Sequence, residues 1–367
     1  MAINLSIERL SKWRIPYSRK FFIAGPCSVE SEEQIVHVAQ QLSKYKVNAI
    51  RGGIWKPRTH PGSFEGIGSE GLAWLKAAGI AAKLPVTTEV ANPSHVEQCL
   101  KVGIDMLWIG ARTTTNPFDV QEIAEALRGI DIPVLIKNPI NPDIELWMGA
   151  IERINKAGVK KIMAIHRGFS TYRRDKFRNQ PLWRIPIELR RQVPTMPIIC
   201  DPSHMSGERK WVFSLAQQAM DFLFDGLMIE VHPNPELAKS DGKQQVTPSN
   251  YGRIIKKLRL SFADPLIGHQ VQKISLLRNE IDVIDDNIIA LLGKRMEFVK
   301  EIGVWKRDQN ISLLQLERWK KILFTRLRKS EEKHLSRKFM RAVFELIHEE
   351  ALRVQEVIKT PASKGIL

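Results

Sequence analysis

Two stretches, PIICDPSH (197–204) and GLMIEVHP (226–233), each pass from apolar, strand-forming residues into a polar tip. The same pattern recurs upstream in FFIAG (21–25), VNAIRGG (47–53), PVTTEV (85–90), MLWIGAR (106–112), PVLIKN (133–138) and KIMAIHRG (161–168). Helical patterns lie between these runs. Strand candidates that alternate with helices predict an α/β fold with a parallel sheet. Eight of them are the number that closes a (β/α)8 TIM barrel within about 250 residues. A doubly wound open sheet would bring a GxGxxG turn after an early strand, and the chain has none.

The runs finish in Gly-Pro-Cys-Ser, Arg-Gly-Gly, Glu89, Arg112, Lys137-Asn138, His166-Arg167, Asp201-Pro-Ser-His204 and Glu230-Val-His232. In a barrel all these tips converge on the C-terminal mouth, where such folds place their chemistry. Cys27, His204, Glu230 and Asp241 are then a candidate metal set. A thiolate, an imidazole and two carboxylates suit a divalent transition ion such as Mn²⁺, Fe²⁺, Co²⁺ or Zn²⁺.

At 367 residues the chain exceeds one ordinary core, so two domains are expected. Three cysteines make a disulfide framework improbable and point to a reducing, cytoplasmic setting. The N-terminal residues have no apolar core of signal-peptide length, and no stretch approaches a membrane span. A formal charge of +16 admits either nucleic acid or small anions as partners. Zinc-finger spacing, an RNA-binding aromatic motif and a basic tail are all lacking. The cations Arg51, Lys56, Arg58, Arg112, Lys137 and Arg167 are scattered near the ends of apolar runs. Small anionic substrates are the expectation, with no nucleic acid and no membrane.

SFADPLIGH (261–269) breaks the alternation with Pro265 and Gly268 and reads as a linker. This sets the barrel at 1–260, an all-α domain at 270–360 and a tail at 361–367. No proline occurs between Leu266 and Thr360. Leu277, Ile281, Ile284, Ile288, Leu291, Phe298, Ile302 and Trp305 follow spacings of three and four, predicting an amphipathic helix of about ten turns or less. Shorter helices are predicted near 314–328 and 335–358. Three helices, one very long, cannot cover their own apolar faces, so a homodimer through this domain is expected. Arg295 takes the seam position between Leu291 and Phe298. An unpaired guanidinium there costs several kcal/mol, so it must meet an anion: an ion pair with a neighbouring helix, or a bound ligand.

GPCSVES (25–31), RGGIWKPRT (51–59), TEV (88–90), IGAR (109–112), DPSH (201–204), EVHPNPE (230–236) and SDGKQQ (240–245) together resemble 3-deoxy-7-phosphoheptulonate (DAHP) synthase of the class I-beta type. The resemblance implies a metal-dependent condensation of phosphoenolpyruvate with erythrose 4-phosphate. It implies Cys27, His204, Glu230 and Asp241 as ligands of one divalent ion per barrel, Mn²⁺ foremost. Arg51, Lys56, Arg112, Lys137 and Arg167 would cradle phosphoenolpyruvate, and Arg58 and Thr59 would hold the aldose phosphate. Lys56 would also donate a proton or position water, and Glu89 and His232 fall at polar positions of the site. The sister synthase that uses arabinose 5-phosphate is the alternative. The KPRT turn favours the four-carbon aldose, since the sister family resembles KANRSS there.

LLRNEIDVIDDNIIALLGKR (276–295), Lys306, QLERW (315–319) and IHEEALRVQ (347–355) resemble an all-helical bacterial chorismate mutase. That implies a pocket lined by Arg295, Lys306, Arg318 and Gln355, with Arg278 borrowed from a second chain. Prephenate or chorismate bound there would also feed back on the synthase; alternatively, the domain only regulates and dimerises. Three residues depart from the family pattern. Gln315 and Trp319 stand where many relatives carry carboxylates, so the carboxylate contact to the hydroxyl of chorismate that the resemblance implies is missing. Ala351 replaces a common serine.

Overall fold

Parallel β-pairing runs unbroken around a closed ring in the computed structural model, which describes residues 5–56, 62, 64–172, 176–260 and 269–359, with side chains omitted for 269–273. The chain divides into two compact units, Met1–Ala263 and Asp264–Leu367. The first is a (β/α)8 barrel of strands β1 (Phe21–Gly25), β2 (Ala49–Arg51), β3 (Val86–Val90), β4 (Met106–Ile109), β5 (Val134–Lys137), β6 (Ile162–His166), β7 (Ile198–Cys200) and β8 (Gly226–Glu230). Strand pairing is narrower than the sequence runs, because the polar tips turn away into loops.

Side chains alternate in and out along each strand. Phe21, Ile23, Ala49, Met106, Leu135, Met163, Ile165, Ile199 and Met228 fill the interior. Leu10 and Trp13 join this inner cluster. The amide of Glu8 donates to the carbonyl of Lys160, just before β6, which sets that segment at the N-terminal end of the barrel. The outward residues pack beneath the helices in a second, larger core. Closure is tight where β8 meets β1: a Cβ on Gly226 would stand 1.8 Å from the carbonyl oxygen of Phe21, its partner in register.

The second unit holds three helices, His269–Asp308, Leu316–Glu331 and Arg337–Lys359. The first has 40 residues, about eleven turns, and so begins earlier and runs longer than the periodicity predicts. The last helix approaches it at Gly303, where a Cβ would lie 3.1 Å from Ile358 and 3.2 Å from Gln355. Val299 and Ala351 are buried in this unit. The predicted seam behaves differently within one chain. Leu277, Ile281, Ile284, Ile288, Leu291, Phe298, Ile302 and Trp305 are all exposed. Among the described residues, no helix is long and apolar enough to cross a membrane.

Candidate functional site

Stepping two residues up from the interior core reaches Gly25, Arg51, Glu89, Trp108, Lys137, Arg167, Asp201 and Glu230. The period of a strand therefore gathers these groups in one layer at the mouth. His166 is a correction to the expectation that every tip faces the mouth. It is out of phase with Ile165 and Arg167, and its ring sits among Trp147, Phe169, Trp183 and Phe224 on the outer side. Burial there pushes its pKa down to about 3.

Trp108 forms the floor of the layer. Its Nε1 donates to Glu89 Oε2 at 2.8 Å, while Arg51 and Lys137 lie 5.0 and 5.7 Å from its ring centroids. Gly110 makes room for Glu89, whose Oε1 would be 2.1 Å from a Cβ. Arg51 is fully buried, with Nη2 3.1 Å from Glu230 Oε1. Its Nε and Nη1 have no hydrogen-bond partner. Buried donors of this kind are costly unless an acceptor arrives. Lys137 pairs with Asp201 at 3.1 Å.

Arg167 is set by Asn138, whose Oδ1 accepts its backbone N–H at 2.7 Å and whose Nδ2 donates to Gly168 O at 2.8 Å. Burial, and then the charges of Arg178 and Arg112, pull the Arg167 pKa down to about 10. Crowded cations at a mouth are the signature of an anion site. Arg112 is exposed on the turn Ala111–Thr114. Lys56 Nζ donates to Cys27 O at 3.1 Å and to Cys27 Sγ at 3.0 Å. Burial disfavours the Lys56 charge, but Cys27, Glu89 and Glu230 outweigh it and raise the pKa.

Three of the four expected metal donors, Cys27, Glu230 and Asp241, meet through loop contacts, and His204 adjoins them at Glu230. Cys27 N donates to Gln245 Oε1, and Gln245 Nε2 donates to Ser240 O, which fastens the 240–245 loop to the one after β1. Asp241 adopts a left-handed backbone, φ 50°, which aspartate tolerates better than most residues. Ligand atoms of Cys27, Glu230 and Asp241 lie within 4.8 Å of one another, with Cys27 Sγ 3.3 Å from Asp241 Oδ2. His204 Nε2 stands 3.6 Å from Glu230 Oε1, and its Nδ1 2.7 Å from Asp201 Oδ2. A carboxylate behind one ring nitrogen leaves the other for a metal.

These residues fit a divalent transition ion. Donors sharing an ion at about 2.0–2.3 Å stand about 3–4 Å apart. Glu230 Oε1 is buried without a hydrogen-bond partner, while Gln244 Nε2 satisfies Oε2 at 2.6 Å. Burial holds the imidazole of His204 below its ordinary pKa and hence neutral, as a ligand must be. Without a cation, burial, followed by the Glu230 charge, pushes the Cys27 thiol up to about 12.

Arg58 and Thr59 lie outside the described residues. His232 Nε2 faces Glu30 at 3.5 Å rather than the four donors. Sequence reasoning placed Asp201 at the mouth without a role of its own and passed over Gln244 and Arg178. Asp201 and Gln244 sit inside the DPSH and SDGKQQ motifs, and their roles could have been found there. Arg178, 2.9 Å from Asp241 Oδ1, comes from a loop with no motif.

In the helical unit, Arg295 is half-buried, with Nη1 lacking a partner. Lys306 is buried and donates to Leu313 O at 2.6 Å, and buried Gln355 keeps Oε1 unpartnered. Burial, then Arg326, lowers the Arg295 pKa. His348 stacks on Trp319 with ring centroids 4.0 Å apart, a pairing that sequence reasoning did not foresee. Arg278 and Arg318 are exposed, and among the described residues no contact ties either to this cluster within one chain.

Residues 16–261 match the DAHP synthetase I family, and residues 277–356 match chorismate mutase type II. A phospho-2-dehydro-3-deoxyheptonate aldolase from Thermotoga maritima is 34% identical over 244 residues, 66% of this chain and 70% of the relative. A 2-dehydro-3-deoxyphosphooctonate aldolase from Nitrosococcus oceani is 28% identical over 247 residues, 60% of this chain and 82% of the relative. The crystal structure of DAHP synthase from Thermotoga maritima aligns with a TM-score of 0.59 at 32% identity, covering 65% of this chain and 67% of that one. Synthases of this family are generally metal-dependent, and both domains suit small anionic substrates. The chain belongs to the DAHP synthetase I family and continues into a chorismate mutase type II domain, which makes it a bifunctional enzyme of the shikimate pathway.

Proposed function

We propose that the barrel joins phosphoenolpyruvate to erythrose 4-phosphate at a site formed by Arg51, Lys56, Arg112, Lys137 and Arg167 beside Cys27, His204, Glu230 and Asp241. The observation that carries this reading is Arg51, a buried guanidinium with two unpartnered N–H groups beside the four donors. Guanidinium forks suit the carboxylate and phosphate of the enol phosphate, and the cations fix its methylene carbon toward the aldose. One divalent ion held by the four donors, Mn²⁺ foremost and Fe²⁺, Co²⁺ or Zn²⁺ otherwise, would supply Lewis-acid polarisation of an aldehyde oxygen. The methylene carbon of phosphoenolpyruvate attacks the aldehyde carbon, whose oxygen takes up a proton; water then adds, with loss of a proton, at the neighbouring carbon that bears the phosphate, and phosphate leaves from that carbon to give the 2-keto product. Lys56 is positioned to donate a proton or to orient that water.

The KPRT motif and the higher identity to the heptonate aldolase support erythrose 4-phosphate over arabinose 5-phosphate. In the helical domain, Arg295, Lys306, Gln355 and Arg318 of one chain, with Arg278 of a second, would hold chorismate in its compact conformer for rearrangement to prephenate. The exposed apolar stripe of the long helix supports a homodimer. Prephenate in this pocket would slow the synthase, and a cytoplasmic setting supplies all these substrates.

The test is a paired assay on the whole purified chain. Phosphoenolpyruvate should disappear with erythrose 4-phosphate but not with arabinose 5-phosphate, only with a divalent ion, and more slowly with prephenate. Chorismate should be consumed with or without the ion. Metal-independent condensation, or equal use of both aldoses, would overturn the barrel reading.

A further inference from the structure

Gln315 and Trp319 stand where the resemblance to the mutase family implies a carboxylate meeting the hydroxyl of chorismate. Trp319 lies flat on His348, with centroids 4.0 Å apart and an interplanar angle of 6°. The stack fixes the imidazole and leaves Nε2 buried without a hydrogen-bond partner. Arg295 Nη1 and Gln355 Oε1 share that condition. A buried polar atom left unpaired costs about 1–3 kcal/mol, and His348 interacts with the charges of Arg295 and Lys306, so the unpaired atoms of His348 and Arg295 describe a space that a polar ligand completes. A purely structural stack would be served as well by phenylalanine, with no such cost.

Resting on the mutase reading above, we propose that His348 contacts the substrate in the helical domain, its Nε2 meeting the ring hydroxyl that Gln315 and Trp319 leave unattended. A neutral imidazole nitrogen either accepts from a hydroxyl or donates to it, so both tautomers serve. Burial, then the charges of Arg295 and Lys306, hold the His348 pKa below its ordinary value, which keeps the ring neutral beside them. A neutral contact also avoids placing an anion against the carboxylates of the substrate. Trp319 acts as a positioning residue, holding the ring plane.

The experiment measures mutase kinetics of the full chain with chorismate and with an analogue lacking the ring hydroxyl. His348→Leu keeps the volume and removes the polar end; His348→Gln keeps a neutral hydrogen-bonding end. Losing one ligand hydrogen bond predicts a fall of about 10-fold in kcat/KM for chorismate in His348→Leu, with His348→Gln recovering most of it. The analogue should lose nothing. Circular dichroism melting confirms that each variant is folded. Equal kcat/KM for His348→Leu and the unaltered chain would overturn the proposal, as would an equal loss with the analogue or no recovery in His348→Gln. If the unaltered chain neither turns over nor binds chorismate, the mutase reading fails as well, a result separable from any effect confined to the variants.

Discussion

Arg51 and Glu230 face each other at the barrel mouth with 3.1 Å between Nη2 and Oε1, both closed to solvent. The pair links the cation layer to the candidate metal donors: Arg51 keeps Nε and Nη1 without a hydrogen-bond partner, and Glu230 Oε1 has the ion pair but no hydrogen bond. Removing one member leaves the other charged in a poorly solvated site. Arg51→Leu should therefore destabilise the metal-free barrel by about 3 kcal/mol in denaturant unfolding, as well as abolishing the synthase. Unchanged stability would mean that the pair is solvated in solution.

Cys27→Ala should abolish metal-dependent synthase activity and weaken divalent-ion binding in titrations, while chorismate turnover continues. Chelation of the unaltered chain should do the same, and added ion should restore it. Full synthase activity of metal-free Cys27→Ala would refute the assignment of the four donors.

His166 gives the barrel a pH dependence of calculable sign. Its folded pKa of about 3 lies below the unfolded value of about 6.5, so between them only the unfolded chain takes up the proton. The stability is fully present above pH 6.5 and is lost as pH falls toward 3, amounting to about 2 kcal/mol between pH 7 and pH 5. His166→Phe, whose ring suits the surrounding aromatic nest, should flatten that slope in denaturant unfolding at pH 5–7. An unaltered slope would assign the effect to other groups, of which His204 is the nearest in kind.

The borrowed-arginine arrangement makes a prediction about mixtures. Arg278→Ala and Arg295→Ala chains should each lack mutase activity, since each site would miss one cation. Refolded together in equal amounts, they should recover about a quarter of it, because half the dimers carry one intact site of two. No recovery would place both arginines in the pocket of the same chain. Ile281→Glu with Ile288→Glu should shift the chain toward monomer in sedimentation, since both side chains lie on the exposed stripe.

Much of this architecture is local in origin and therefore legible in one dimension. The eight apolar runs, the period of two that sends Arg51, Lys137, Arg167 and Glu230 the same way as the core residues before them, and the long helical repeat after residue 270 all follow from neighbours in the chain. The same period could have removed His166 from the mouth, since it is out of step with Ile165; reading only the polarity of the tip missed that.

What tertiary structure alone decided is whatever depends on contacts between distant segments. Asp241 reaches Cys27 because Gln245 and Ser240 tie one loop to another, and Arg178 reaches Asp241 from a loop whose sequence announces nothing. Trp319 meets His348 only once two helices pack, and the exposed faces of the long helix emerge only when its two neighbours are in place. Propensity and periodicity are properties of a segment, whereas these meetings are set by ring closure and helix packing, which no single segment encodes.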